Sequence, residues 1–312
     1  MNRRDFFKAA SAAGFASVIG CKAAKAMRCG SCCGDINLCL QWNTIPVQDD
    51  FNARLDYLEK NGYAAVEIPT GRKCEWILEK GEAFGKAMQG RNLFCATACG
   101  PSRFDYADPK MNEAEVAKFM PVLEILGGLK SVGLIICPAR AKPEVGLKEL
   151  REDFVTNTGK RLAEKAAKCG TSIVLEPLQR KETPFLRQVS DAAKMAQEIG
   201  AGCTVLADFW HMTWEEANDR AAMLSAGPLL KHVHIDSRKN RRIPGSDGAA
   251  DDYTLGFRGL KEIGYKGAVS LEAGWVPKGK NDKGRPILPD LAERHVILTR
   301  MCELLRRQWA EA

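Results

Sequence analysis

The chain has 312 residues, 45% hydrophobic and 27% charged, with a formal net charge of +7. That composition is globular, and no run beyond the first residues approaches the ~20 apolar residues of a membrane helix. Setting aside residues 1–26, which are basic, leaves +3, an excess too small and too dispersed to point to a nucleic-acid or membrane-surface partner.

Asn2-Arg3-Arg4-Asp5-Phe6-Phe7-Lys8 is a twin-arginine segment, and a small-residue apolar stretch follows it from Ala9 to Gly20. Together they predict export by the Tat pathway to the periplasm. Two processing sites compete. Ala24-Lys25-Ala26 fits the small-x-small rule, giving a signal peptide of 1–26 and a mature chain of 27–312. Val18-Ile19-Gly20-Cys21 has the form of a lipoprotein box, which would anchor the protein through Cys21. Of the 12 cysteines, Cys29, Cys32, Cys33 and Cys39 cluster just after this leader. A zinc or redox site needs a second pair at regular spacing, and there is none. Buried thiols are the first expectation and N-terminal disulfides the second.

From Asp35 onward strand-like and helical runs alternate. Strands are predicted at 36–41, 64–68, 93–97, 131–137, 171–176, 203–208, 232–236 and 268–272. Helices lie between them, for example at 51–61, 153–168, 186–199, 214–224 and 253–263. Pro121 is expected to interrupt and kink the third helix. Gly62, Gly170, Gly200 and Gly264 stand just past helix ends, where a left-handed residue closes the last turn. Eight strand–helix pairs with no Ser/Gly/Pro-rich linker predict a (β/α)₈ TIM barrel. An open doubly wound sheet is the alternative. It lacks its glycine-rich phosphate turn, because Gln41-Trp42-Asn43-Thr44 follows the first strand.

Four of the later strands deliver polar groups to the barrel rim: Glu176, Asp208, His234 and Glu272. Three carboxylates and one imidazole make an oxygen-rich site for one divalent cation, with Mn²⁺ or Mg²⁺ preferred and Co²⁺ or Zn²⁺ as alternatives. Each residue has a structural rival. Glu176 and Glu272 could pair with arginines across the rim, Asp208 could cap the next helix, and His211 could be a satisfied half-buried histidine. His232 shares the His234 face of its strand. Trp42, Trp210 and Trp275 are candidates for stacking on a sugar or for simple packing. The basic run 238–242 is a candidate phosphate grip or a solvated face.

Glu176-Pro-Leu-Gln-Arg-Lys-Glu-Thr, Asp208-Phe-Trp-His, His-Val-His234-Ile-Asp, Asn-Arg241-Arg-Ile-Pro-Gly and Gly-Tyr-Lys-Gly-Ala-Val-Ser-Leu-Glu272 occur in order on the expected strands. This pattern resembles the xylose isomerase-like TIM-barrel family of sugar isomerases and epimerases, over essentially the whole mature chain. It is closest to the ketose 3-epimerases, with hydroxypyruvate isomerase and inosose dehydratase-like enzymes nearby. The resemblance implies a metal held by Glu176, Asp208, His234 and Glu272, with Glu176 and Glu272 as the acid–base pair. It also implies that Glu182, His211 and Arg241 bind substrate, Arg241 only if one extra residue is allowed after His234. The implied reaction is proton transfer next to the carbonyl of a keto sugar, through a cis-enediolate. A chain with four histidines and none before strand six lacks the ligands of the family's three-zinc DNA-repair endonucleases. It also lacks the early-strand histidine of two-metal aldose isomerases. The resemblance thus implies a small carbohydrate as the partner. An exported metal-containing barrel that binds sugar without turnover is the non-enzyme alternative, and whether the chain forms a homo-oligomer is left open.

Overall fold

The computed structural model describes residues 35–48, 50–248 and 250–312. The twin-arginine segment, both processing sites, Cys29, Cys32 and Cys33 lie outside the described residues. Eight parallel strands close into a barrel in sequence order: β1 Leu38–Gln41, β2 Ala65–Pro69, β3 Phe94–Cys99, β4 Gly133–Ile136, β5 Ser172–Leu175, β6 Cys203–Asp208, β7 Leu230–Ile235 and β8 Val269–Leu271, with β8 pairing back onto β1. The connecting helices are α1 Phe51–Lys60, α2 Glu75–Met88, α3 Pro109–Gly128, α4 Leu147–Asp153, α5 Gly159–Cys169, α6 Val189–Ile199, α7 Phe209–Glu215, α8 Asp219–Ala226 and α9 Thr254–Glu262. A terminal helix, α10 Leu291–Glu311, follows a two-stranded hairpin, β9 Gly279–Lys280 and β10 Pro286–Ile287. All eight expected strands are present. No helix among the described residues is long and apolar enough to cross a membrane.

Strand alternation explains how the core is divided. In β2, Val66 and Ile68 join the main hydrophobic cluster under the helices, while Ala65 and Glu67 face the barrel interior. In β7, Val233 and Ile235 pack outward, leaving His232 and His234 inside by the same period of two. The inward residues form layers, as barrels require. Cys39, Ala65, Ala96 and Ala268 make one small-residue layer, and Ile135, Val174 and Leu206 fill another. Continuing the same parity places Glu176 after Val174, Asp208 after Leu206 and Glu272 after Ser270 at the C-terminal rim.

Gly62, Gly170, Gly200 and Gly264 take φ values of 71°, 75°, 97° and 66°, as helix termination demands. Pro121, by contrast, lies inside α3 without ending it. The neighbouring Phe119, Val122 and Leu123 are fully buried, so packing holds the helix through the lost hydrogen bond. The single helix expected at 214–224 is two. α7 ends at Glu215, and Asn218 starts α8 by accepting the Ala221 N–H. The helix expected at 153–168 starts earlier, as α4, and reaches α5 through a π-helical turn, Phe154–Thr158. Cys39 is a free, buried thiol in β1, which removes it from any N-terminal disulfide.

Candidate metal centre and active site

The four rim residues converge. One ligand atom from each of Glu176, Asp208, His234 and Glu272 lies within 4.8 Å of the others. His234 Nδ1 is 3.3 Å from Glu176 Oε1 and 3.1 Å from Glu272 Oε2, and the β6–β7 register sets Asp208 beside His234. Asp208 Oδ1 accepts the Trp210 N–H and so caps α7, but its Oδ2 is buried with no hydrogen-bond partner. A buried carboxylate oxygen without a donor is costly unless a cation completes it. The donor set, three carboxylates and one imidazole, therefore fits a hard divalent ion.

Crowded together, these groups shift one another's protonation. Burial and the charge of Glu272 raise the Asp208 pKa and the Glu176 pKa. Burial also acts to raise Glu272, but His234 and Arg241 outweigh it and hold that carboxylate low. Burial opposes charging of His234, yet Glu67 and Glu272 outweigh it and push its pKa up.

Glu182, His211 and Arg241, the residues expected to bind substrate, lie at the same rim. His211 is 1% exposed and takes the Gln179 backbone N–H on Nδ1 at 3.0 Å. Its proton is thereby assigned to Nε2, which sits 3.4 Å from Asp208 Oδ2. Burial and the adjacent Arg241 hold the His211 pKa down at about 3, so the ring is neutral. Arg241 reaches Glu272 at 2.9 Å and Glu182 at 3.4 Å. Its backbone takes a left-handed φ of 55°, a strained conformation for a non-glycine residue, pinned by its N–H to the Ser237 carbonyl and by the Gly274 N–H to its own carbonyl.

Glu176, Glu182, Arg241 and Glu272 line one open cavity of about 660 Å³. A smaller one of about 180 Å³ on the β1–β2 side also touches Glu272. The tryptophans are mainly packing. Trp42 sits against Phe51, Trp76 and Phe84 at 5.5–5.8 Å and keeps only an edge on the smaller cavity. Trp210 packs edge-on to Trp214, and the Arg294 guanidinium covers Trp275. In the basic run, Arg238 pairs with Asp219, Arg241 turns inward, and Arg242 donates to the Trp275 carbonyl.

Three residues escaped the sequence reading. Asp236 is fully buried, with neither oxygen hydrogen-bonded and Arg241 Nε 3.4 Å away. The Cys137 thiol donates to Glu176 Oε2 at 3.3 Å. Glu67, fully buried in β2, accepts from His232 and His234.

A family model described as xylose isomerase-like TIM barrel matches residues 55–291. The chain belongs to that family. Among characterised relatives, the 3-dehydro-D-guloside 4-epimerase of Escherichia coli K12 is 30% identical over 229 residues, covering 69% of this chain and 84% of that protein. The L-ribulose 3-epimerase of Methylomonas sp. DH-1 is 31% identical over 157 residues, covering 50% of this chain and 54% of that protein. The crystal structure of the E. coli 3-keto-D-glucoside 4-epimerase in its apo form superposes with a TM-score of 0.70 at 22% identity, covering 85% of this chain and 98% of that one. With epimerases as its relatives, the chain is an enzyme of the isomerase and epimerase class.

Proposed function

We propose that the chain is a divalent-metal-dependent sugar epimerase or isomerase that moves a proton on the carbon next to the carbonyl of a keto sugar, through a cis-enediolate. The observation that carries this reading is that Glu176 and Glu272, from strands three apart around the barrel, meet at one His234 nitrogen and line one cavity. Glu176, Asp208, His234 and Glu272 would hold the cation, with Mn²⁺ favoured by their mainly oxygen donors. Bound there, a divalent ion polarises the substrate carbonyl and lowers the pKa of the neighbouring C–H.

The remaining work falls to the chain's own side chains. One of the two glutamates takes the proton and the other returns it. Return to the opposite face inverts the carbon, and return to the adjacent carbon moves the carbonyl. Neutral His211 offers an Nε2–H donor to a sugar oxygen. Glu182 and Arg241, at the mouth of the cavity, orient the hydroxyls. The cavity, about 660 Å³, lies within the range that encloses ligands of drug size. Being open, it has room for a glycosidically extended keto sugar as well as for a smaller substrate. The names of the relatives, a 4-epimerase of a 3-dehydro glycoside and a ketose 3-epimerase, share the same elementary step, proton exchange beside a carbonyl. We also place the mature chain in the periplasm, on the strength of Arg3-Arg4-Asp5-Phe6-Phe7-Lys8 alone.

The test is incubation in D₂O with free ketoses and with 3-keto glycosides, with Mn²⁺ or with chelator. Metal-dependent deuterium uptake beside the carbonyl, together with a new stereoisomer or regioisomer, is the expected result. A protein that binds these sugars but exchanges no C–H is a sugar-binding barrel, and the enzymatic mechanism is then wrong.

A further inference from the structure

A second polar group lies one layer deeper in the barrel: Glu67 of β2 with His232 and His234 of β7. Glu67 is 1% exposed. Its Oε2 is 2.9 Å from His234 Nε2, 2.7 Å from His232 Nε2 and 2.8 Å from the Thr97 hydroxyl, while Oε1 accepts from Gln41 Nε2 at 2.8 Å. These are hydrogen-bond distances. Two donors on one tetrahedral zinc would stand ~3.3 Å apart, farther than these contacts, so the group reads as a hydrogen-bond network.

What it does is fix a ring. His234 presents Nε2 to Glu67 and Nδ1 to Glu176 and Glu272. We infer that Glu67 is the positioning residue of the metal centre: by accepting the Nε2 proton of His234, it leaves the Nδ1 lone pair aimed at the cation position. The inference rests on the metal reading of the site given above. An outer carboxylate that takes the second N–H of a ligating histidine fixes its tautomer and strengthens it as a ligand. Four donors converging on two oxygens keep Glu67 from turning away. A glutamine at this position has one acceptor oxygen. It either sets an amide N–H against two imidazole N–H groups, driving His234 toward the wrong tautomer, or turns that N–H to Gln41 and loses the charge.

The experiment measures Mn²⁺ affinity by calorimetry for the parent, Glu67→Gln and Asp208→Asn, with the Tm of each in chelator. Alongside it, proton NMR of the Co²⁺-loaded parent follows the hyperfine-shifted imidazole N–H. The expected result is a metal affinity roughly 10–100-fold weaker in Glu67→Gln, with its chelator Tm near that of the parent. Its imidazole N–H should exchange with solvent faster than the slow parental signal. Parental affinity and slow exchange in Glu67→Gln, with binding lost in Asp208→Asn, overturn the inference and leave the metal reading standing. A parent that binds no divalent ion removes both. If Glu67→Gln does not fold, the parent spectrum decides alone: coordination through Nδ1 with a protected Nε2–H supports the assignment, and coordination through Nε2 overturns it.

Discussion

Replacing Asp208 with Asn separates what the site costs from what it does. Without metal, Asp208 Oδ2 is buried without a hydrogen bond, His211 Nε2 and Arg241 standing off at 3.4 and 3.8 Å, and burial plus the charge of Glu272 raise its pKa. Asn keeps an oxygen for the Trp210 N–H that caps α7 and removes the charge. Leaving a buried acceptor unpaired costs about 1–3 kcal/mol, and more when it is charged. Asp208→Asn is therefore expected to stabilise the metal-free protein by at least about 1–3 kcal/mol, or roughly 2–10 °C in Tm. The sign sets a pH dependence. A raised folded-state pKa means the native chain holds this proton more tightly than the unfolded one. Stability from this group is thus full below the ordinary carboxylate range and is lost as pH rises through the raised value. The advantage of the variant should be small at pH 4 and complete at pH 8. Mn²⁺ at a hundredfold excess over Kd stabilises the parent by about 2.7 kcal/mol, and a variant one anionic ligand short follows weakly. Thermal melts in chelator and across a Mn²⁺ titration should therefore cross. A variant less stable than the parent in chelator at pH 8, or one with the parental Mn²⁺ shift, refutes this reasoning.

Glu176→Gln and Glu272→Gln should each abolish deuterium exchange into substrate while keeping part of the metal affinity, since an amide oxygen still coordinates but accepts no proton. Near-parental exchange in either variant, followed by mass spectrometry, removes that residue from the acid–base pair. In the scaffold, a Cβ on Gly133 would stand 2.1 Å from the Ser172 carbonyl oxygen across the β4–β5 ladder. Gly133→Ala should therefore cost about 3 kcal/mol or more, read as a lower urea midpoint. Replacing Arg3 and Arg4 together with Lys should trap the precursor in the cytoplasm. Mass spectrometry of the exported parent should show either a Met27 start or a diacylated Cys21, and a parent that retains Met1 in the cytoplasm of its host refutes the export route.

Strand parity made most of the site legible. Glu176, Asp208 and Glu272 each stand two residues beyond an inward apolar or small residue, so period two and a strand-end position sufficed to find them. Glu67 escaped because it lies within its strand, in Ala-Val-Glu-Ile-Pro, where a lone carboxylate looks like an accident. Its partners are 165 and 167 residues away, a distance at which spacing carries no signal. The available hint was chemical: a charge at an inward position must be paired, and the chain has few histidines to pair it. Asp236 was visible as the end of His-Val-His-Ile-Asp but was read past, because the strand ends at Ile235 and the Arg241 that reaches it depends on a strained loop. The break between α7 and α8 was also written in the sequence, as the capping residue Asn218 before Asp219. The amphipathic pattern running through it concealed the stop.

The barrel also distributes its hydrogen-bond donors unevenly, and that distribution bears on mechanism. Glu67, deepest of the inward acids, receives four donors, whereas Glu272 receives one, from Arg241. Asp208 Oδ2 and both Asp236 oxygens, equally buried, receive no hydrogen bond, only the longer approaches of Arg241 and, at Asp208, of His211. A carboxylate saturated with N–H donors has little charge left to offer an ion, whereas a bare one binds a cation strongly and is costly to bury without one. Donors are thus concentrated where orientation is required, at Glu67 and through it at His234, and withheld at Asp208, where a ligand is required. Adding a donor to Asp208 Oδ2 should therefore stabilise the empty barrel and weaken its hold on the metal. The same trade separates the parent from Asp208→Asn, so both effects must appear together in one variant.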